Sequence, residues 1–327
     1  MKAYDRERAI HRIDELAAAN RPFIFVVSYD TEKAFVEEVD AIDARECLFA
    51  FPGRDNIPAD ATFAEQPVIW KADLPTQQSY ARQLQIVQDH LQAGNSYLVN
   101  LTCRVPVETN VSMRDIFLRA HAPYRLWIKD RLVCFSPETF VRVNRYSISS
   151  FPMKGTIDAT IPNAAKVLYD NAKEAAEHAT IVDLIRNDLS IVADHVHVSR
   201  YRYVEQLTTN RGAILQTSSE INGQLTDYYH HHLGQMLYTQ LPAGSITGAP
   251  KLKTMSIIAQ AEDYQRGFYS GVMGYYARGR MDSAVMIRFI DTENGHLYYK
   301  AGGGITAKSI CQDEYQEVIE KIYVPIY

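Results

Sequence analysis

Apolar positions along this chain recur with two different periods. From Tyr80, the stretch YARQLQIVQDHLQAGNSY sets Leu84, Val87 and Leu91 on one helical face, and Gly94 closes it. Near the C-terminus, QDEYQEVIEKIY gives a second such face from Tyr315, Val318, Ile319 and Ile322. The longest run of helical character, NAAKVLYDNAKEAAEHATIVDLIRNDLSIVA, follows Pro162, contains few breakers and predicts one long helix. Elsewhere the apolar runs are short, alternating or continuous, and read as strands: PFIFVVSYD, ECLFAFPG, YLVNLTCRVPV, YRLWIKD, RLVCFSPETFVRVN and YSISSF. Late in the chain GFYSGVMGYYARG, SAVMIRFIDTENG and HLYYKAGGGI predict a three-stranded meander with turns at Gly279 and Gly295. No repeat, low-complexity tract or long linker divides these elements. They predict one α+β unit, with residues 1–74 a short strand and helix region and residues 75–327 the main body.

Composition then narrows the setting. With 327 residues, 46% hydrophobic and 22% charged, the chain can bury a large core. A net charge of −5 without a basic block argues against a nucleic-acid partner. The charged start and the lack of any apolar run near ~20 residues argue against a signal peptide or a membrane span, so a cytoplasmic location is expected. Cys47, Cys103, Cys134 and Cys311 lie far apart and fit reduced thiols rather than a disulfide frame or zinc site.

The candidate chemistry is mostly ionic. Glu174 and Glu177 share a face of the long helical run, and Glu314 and Glu317 repeat the spacing in the last helix, one turn before Lys321. Exposed helix pairs such as Lys173 with Glu177 or Glu317 with Lys321 account for such residues in most proteins. If the two helices meet, four carboxylates converge and require a divalent cation or a proton between them. Oxygen-only ligands favour Mg²⁺. Arg288, in the apolar run VMIRF, needs a structural or a ligand carboxylate if buried. LPAGSITGAPK and KAGGGI bring Gly244, Gly248 and Gly302 to Gly304 into loops or strand ends where backbone could approach an anion, although the first is not a Walker A loop. Lys154, at a strand end in FPMKGTIDAT, is either a solvated charge or a nucleophile, and as a nucleophile it must be neutral. Glu138 in SPETF could be a general acid if buried. The run His230 to His232 cannot ligate one ion from consecutive helical positions and reads as surface.

Taken together, SPETF, PMKGT, AKEAAEHATIVDLIRNDL, GSITGAPK, RGFYSGVMGYYARG, AVMIRF, AGGGI and DEYQEVIEKI resemble, in order and spacing, the chorismate-utilising enzymes. These include the anthranilate, aminodeoxychorismate, isochorismate and salicylate synthases, and the resemblance spans about residues 75 to 327. It implies two stacked, largely antiparallel sheets with helices packed outside and a Mg²⁺ site between them. Residues 75–327 would then be the chorismate-binding catalytic part. By resemblance, Glu174, Glu177, Glu314 and Glu317 would hold the metal, with Glu177 and Glu317 its principal ligands. Arg288, Tyr269, Lys321 and the amides around Gly302 and Gly304 would bind one carboxylate of chorismate. Gly155 and Thr156 would line the pocket, and Glu138 would be the acid that helps the 4-hydroxyl leave.

Within the family, Lys154 is the discriminating residue. Aminodeoxychorismate synthase component I has lysine there, whereas the anthranilate, isochorismate and salicylate enzymes usually have alanine. The resemblance implies attack of this lysine on C2, followed by displacement with ammonia at C4 and formation of 4-amino-4-deoxychorismate, a precursor of p-aminobenzoate and folate. Isochorismate and salicylate synthases place a water-activating lysine where this chain has Leu98. Two departures from the family pattern stand out: Gln216 occupies the usual place of a histidine, and IDAT follows KGT where arginine-rich sequence is usual. The short N-terminal region also argues against a tryptophan pocket of the anthranilate synthase kind. No nucleophile-elbow cysteine of a glutaminase is evident, so a separate glutamine amidotransferase subunit is the expected source of ammonia. The alternatives are an anthranilate or isochorismate/salicylate synthase and, in a different class, a non-catalytic chorismate-binding regulatory subunit.

Overall fold

The computed structural model describes residues 1–209 and 212–326. Two antiparallel sheets lie face to face, with helices on both outer sides. The strand Phe23–Val27 shows why, because every one of its five residues is buried. Phe23, Phe25 and Val27 enter a core shared with the outer helices, while Ile24 and Val26 enter the core between the sheets, against Phe49, Leu126 and Cys134. Successive side chains on a strand point to opposite faces, so a continuous apolar run is what a strand covered on both sides requires.

The first sheet runs Ala3–Tyr4, Ala34–Glu38, Phe23–Val27, Val272–Ala277, Arg280–Val285, Thr139–Asn144, Ser147–Ser150, Gly212–Leu225 and Met153–Asp158, and Ala193–Thr209 also pairs with Gly212–Leu225. The second runs Gly248–Ala249, Leu98–Thr109, His296–Ile305, Phe289–Glu293, Leu132–Ser136, Tyr124–Ile128, Cys47–Phe51 and Arg54–Asp55, and Trp70–Ala72 pairs with Leu98–Thr109. The first seventy-four residues thus supply strands to both sheets. The first sheet is covered outside by Arg6–Ala18, Ala172–Leu189 and Leu233–Thr239. The second is covered by Gln77–Gln92, Met113–Arg119, Lys251–Ala261 and Cys311–Glu320. Among the described residues, no helix is long and apolar enough to cross a membrane.

Two expectations need correction. The long helical run is two helices, Ala164–Asp170 and Ala172–Leu189. Asn171 takes an extended backbone between them (φ −68°, ψ 109°), and its side chain accepts a hydrogen bond from the Glu174 amide at 3.1 Å. This N-cap starts a new helix where the apolar period alone shows none. The late three-stranded meander is likewise two hairpins in different sheets. Val272–Ala277 and Arg280–Val285 belong to the first, Phe289–Glu293 and His296–Ile305 to the second. The turns fall at Gly279 and Gly295 as expected, with φ of 71° and 80°. The chain changes sheets through Met286 to Arg288, and Arg288 has a left-handed φ of 54°. Arg288 therefore lies at a crossover, not inside a strand.

Candidate active site

The start of the strand Met153–Asp158, the strand His296–Ile305 and the helices Ala172–Leu189 and Cys311–Glu320 meet in one cluster of charges, so Lys154 opens a strand instead of ending the one before it. Lys154 pairs in register with Thr217, whose hydroxyl donates to the Lys154 carbonyl. The register then shifts at Gly155, which has φ 81°. A Cβ at Gly155 would sit 2.8 Å from Glu174 Oε2, so the bulged glycine both turns the strand and admits the carboxylate. Beyond the bulge, Thr156 is exposed and pairs with Gln216. Among the described residues its side chain makes no hydrogen bond with the cluster.

Lys154 Nζ lies 2.9 Å from Glu177 Oε2, and Lys173 Nζ lies 3.9 Å from Glu177 Oε1. From the last helix, Glu317 Oε1 accepts from Lys321 Nζ at 2.6 Å, and the same ammonium donates to the Gly302 carbonyl at 3.0 Å. The helix pairs expected for Lys173 with Glu177 and for Glu317 with Lys321 are therefore both present, and both belong to the cluster. Glu174 and Glu314 each stand in the first turn of their helix, where the helix dipole favours a carboxylate.

The three glycines of His296–Ile305 have different uses. A Cβ at Gly302 would collide with Thr102 Cγ2 at 2.4 Å, so this glycine serves close approach of the neighbouring strand. A Cβ at Gly303 would be 3.6 Å from Glu317 Oε1, 3.7 Å from Lys321 Nζ and 3.8 Å from Glu314 Oε2. At Gly304 the neighbours are Lys154 Nζ at 3.7 Å and Leu98 Cδ1 at 3.2 Å. Because adjacent residues face opposite ways on a strand, this bare stretch lets the last helix approach from one side and Lys154 from the other.

A second group adjoins it. Ser245 Oγ donates to Glu138 Oε1 at 2.9 Å. Burial raises the Glu138 carboxyl above its ordinary value, a shift that Ser245, Arg288, Lys321 and Lys154 reduce without cancelling. The Arg288 guanidinium lies 5.7 Å from the Tyr323 ring centre, and Tyr269 is buried nearby against Phe289. Ser245 was not singled out from sequence, since its only signal is a hydroxyl between two glycines of GSITGAPK. The rest of that loop makes structural contacts. Lys251 pairs with Asp188 at 2.9 Å and donates to the Gln240 carbonyl at 2.9 Å. Gly248 leaves no room for a Cβ against the Leu98 carbonyl.

The electrostatics follow from this packing. Burial lowers the Lys154 ammonium pKa, but Glu177, Glu317 and Glu174 outweigh it and hold the group above the ordinary lysine value. Lys321 falls below that value, through burial and the nearby Arg288 and Lys154. Glu174 and Glu314 are raised by burial, with Glu177 and Glu317 respectively adding repulsion. Glu317 opposes its own burial through Lys321, Lys154 and Lys173 and ends lowered.

Among the described residues, no three His, Cys, Asp or Glu side chains close on one point as metal ligands. The donor chemistry still fits a hard cation. Four carboxylates from two helices share one field; two are tied to lysines, and two are pushed toward protonation. Ammonium groups thus occupy oxygen ligands that a divalent ion would use. The histidines at 230 to 232 instead make ring contacts, His230 stacking on Tyr146 and meeting His231 edge-on, and His232 lying tilted against Tyr228.

A family model described as chorismate binding enzyme matches residues 1–326, which extends the likeness well beyond the stretch where motifs are legible. The "Uncharacterized PabA-like protein" of Haemophilus influenzae is 42% identical over 322 residues, covering 97% of this chain and 96% of that protein. Aminodeoxychorismate synthase component 1 of Klebsiella aerogenes is 30% identical over 325 residues, covering 95% of this chain and 70% of that protein. The crystal structure of anthranilate synthase component I from Streptococcus pneumoniae superposes with a TM-score of 0.72 at 24% identity, covering 91% of this chain and 79% of that one.

Proposed function

The chain belongs to the chorismate-binding enzyme family, and from that premise we propose that it aminates chorismate as component I of an aminodeoxychorismate synthase. The observation that carries this is the pair of neighbours at Gly304. Lys154 brings an amine to the bare strand, and Leu98 stands where the water-using relatives place their lysine base.

In the proposed reaction, Arg288 and Lys321 take one substrate carboxylate, and Tyr269 backs Arg288. Mg²⁺, held by Glu174, Glu177, Glu314 and Glu317, would offset the second carboxylate. Lys154, held as an ammonium beside Glu177, first loses a proton to solvent; the free amine then forms a bond to C2 while the bond from C4 to its hydroxyl oxygen breaks and both ring double bonds shift by one position. Glu138 gives its proton to the departing oxygen, which leaves as water. Ammonia then bonds to C4, both double bonds shift back, and the C2–N bond breaks with its electron pair returning to Lys154. The ammonium formed at C4 gives a proton back to Glu138, which restores the acid and leaves the neutral amino group. The sum is chorismate plus ammonia to 4-amino-4-deoxychorismate plus water, with ammonia supplied by a glutamine amidotransferase subunit.

Intact-protein mass spectrometry with chorismate and Mg²⁺ but no ammonia tests the covalent step, and peptide mapping should place the adduct on Lys154. An adduct elsewhere, or none after trapping, refutes the step. Product analysis with ammonium added should give aminodeoxychorismate; anthranilate or isochorismate alone would overturn the assignment. Lys154→Ala should lower amination by on the order of a thousandfold, as expected for loss of a nucleophile, with the far-UV spectrum unchanged.

A further inference from the structure

Both carboxylate oxygens of Glu177 are already claimed, Oε2 by Lys154 at 2.9 Å and Oε1 by Lys173 at 3.9 Å. The two claims are unequal. Lys173 is 55% exposed, whereas the Lys154 and Glu177 side chains are 28% and 16% exposed, so the shorter contact is also the less solvated. Lys321 differs again, because it holds the Gly302 carbonyl as well as Glu317 and keeps a partner if its carboxylate is taken. Among the described residues, Lys154 Nζ has no acceptor but Glu177.

We propose that Lys154 and a divalent cation are alternative partners of Glu177, so that cation binding displaces the Lys154 amine and leaves it facing Gly304. This rests on the assignment of the glutamates as cation ligands made above. Charge supports the exchange. Glu177 already carries two ammonium contacts, from Lys154 and Lys173, before anything binds. A dication adds a surplus that is relieved by parting Lys154 from Glu177 and by a substrate carrying two carboxylates. Lys154 loses only Glu177 in the exchange, and its Nζ already lies beside Gly304. The device ties the amine down until the cation is in place. By reciprocity, the amine must also weaken the cation.

The test is calorimetric titration of the protein with magnesium chloride, without substrate. Lys154→Met keeps the chain length and removes the charge, and it should bind Mg²⁺ roughly fivefold more tightly than the unaltered protein, the size expected of a partly exposed ion pair. Lys154→Arg should restore the weaker binding. Lys173→Met sets the scale of removing a nearby charge without a direct contact, and its gain should be clearly smaller. Glu177→Gln should weaken binding in both the unaltered and the Lys154→Met backgrounds. Equal gains from Lys154→Met and Lys173→Met, with Glu177 still required, would overturn the exchange while leaving the metal assignment standing. Mg²⁺ binding unaffected by Glu177→Gln would remove the metal assignment and the exchange with it. Far-UV spectra and melting curves of each variant confirm that folded proteins are being compared.

Discussion

Two arginines in apolar surroundings, Arg266 and Arg288, meet opposite fates. Arg266 is 2% exposed and donates to both oxygens of Glu262, at 2.9 and 2.6 Å, and to the carbonyls of Ile246 and Asn100. Glu262 in turn accepts from the amide and hydroxyl of Thr102. That network is closed: every charge has its counter-charge four residues away. Arg288 is buried among aromatic groups, Tyr299, Tyr323 and Tyr269, and among the described residues it forms no ion pair. It stands instead within the field of Lys321 and Glu138. A buried charge with an internal partner organises the fold, whereas Arg288, with no ion pair among the described residues, is the one proposed above for a substrate carboxylate.

The contrast can be broken most sharply at Arg266. Arg266→Met should cost about 3–5 kcal/mol, because it strands the Glu262 carboxylate in the core. Pairing it with Glu262→Met should recover much of the loss, as measured by urea denaturation. A double variant less stable than the single would mean that the network does not work as a closed pair. Arg288→Met should leave stability within about 1 kcal/mol, since it abandons no buried carboxylate. It should raise the chorismate KM by about thirtyfold, the order of one charge-assisted contact of ~2 kcal/mol. If Arg288→Met destabilises as much as Arg266→Met does, the distinction between the two arginines fails.

How much of this was legible beforehand depends on what kind of signal each feature leaves. The helix Gln77–Gln92 was readable because Leu84, Val87 and Leu91 obey its period, and all three are buried. The break at Asn171 was not, since a cap changes backbone direction without interrupting the apolar pattern. The sheet change at Arg288 was hidden for the opposite reason. Between Ser283 and Arg288 the run AVMI is apolar because both sides of the crossover are core, so nothing in it marks where one sheet ends. In the site, the spacing of Glu174 with Glu177 and of Glu314 with Glu317 placed each pair on one face. Only tertiary packing could say that the two faces share a field with Lys154. The resemblance of the ordered motifs bridged that gap, but not for Ser245, whose contact with Glu138 joins positions 107 apart in sequence.

Ser245 gives the smallest effect and the finest test of the Arg288 side of the site. Burial raises Glu138, and the hydrogen bond from Ser245 pulls it back by favouring the charged form. Removing that bond with Ser245→Ala should raise Glu138 further. A general acid must be protonated, so activity falls as pH rises through the Glu138 pKa, and the alkaline limb of kcat/KM should move to higher pH in the variant. The stability linkage has the same sign. A carboxyl raised in the folded state binds more protons folded than unfolded, so its contribution to stability is lost as pH rises from the ordinary glutamate value through the raised one. Glu138→Gln should flatten that part of the stability profile, and Ser245→Ala should extend it upward. Arg288→Met predicts the same direction for a different reason, because Arg288 also lowers Glu138 through its charge. Salt separates the two: the direct Ser245 bond is insensitive to ionic strength, whereas the longer-range contribution of Arg288 is screened to the extent that solvent reaches the pocket. A limb that stays in place in Ser245→Ala would show that the contact does not set the protonation of Glu138.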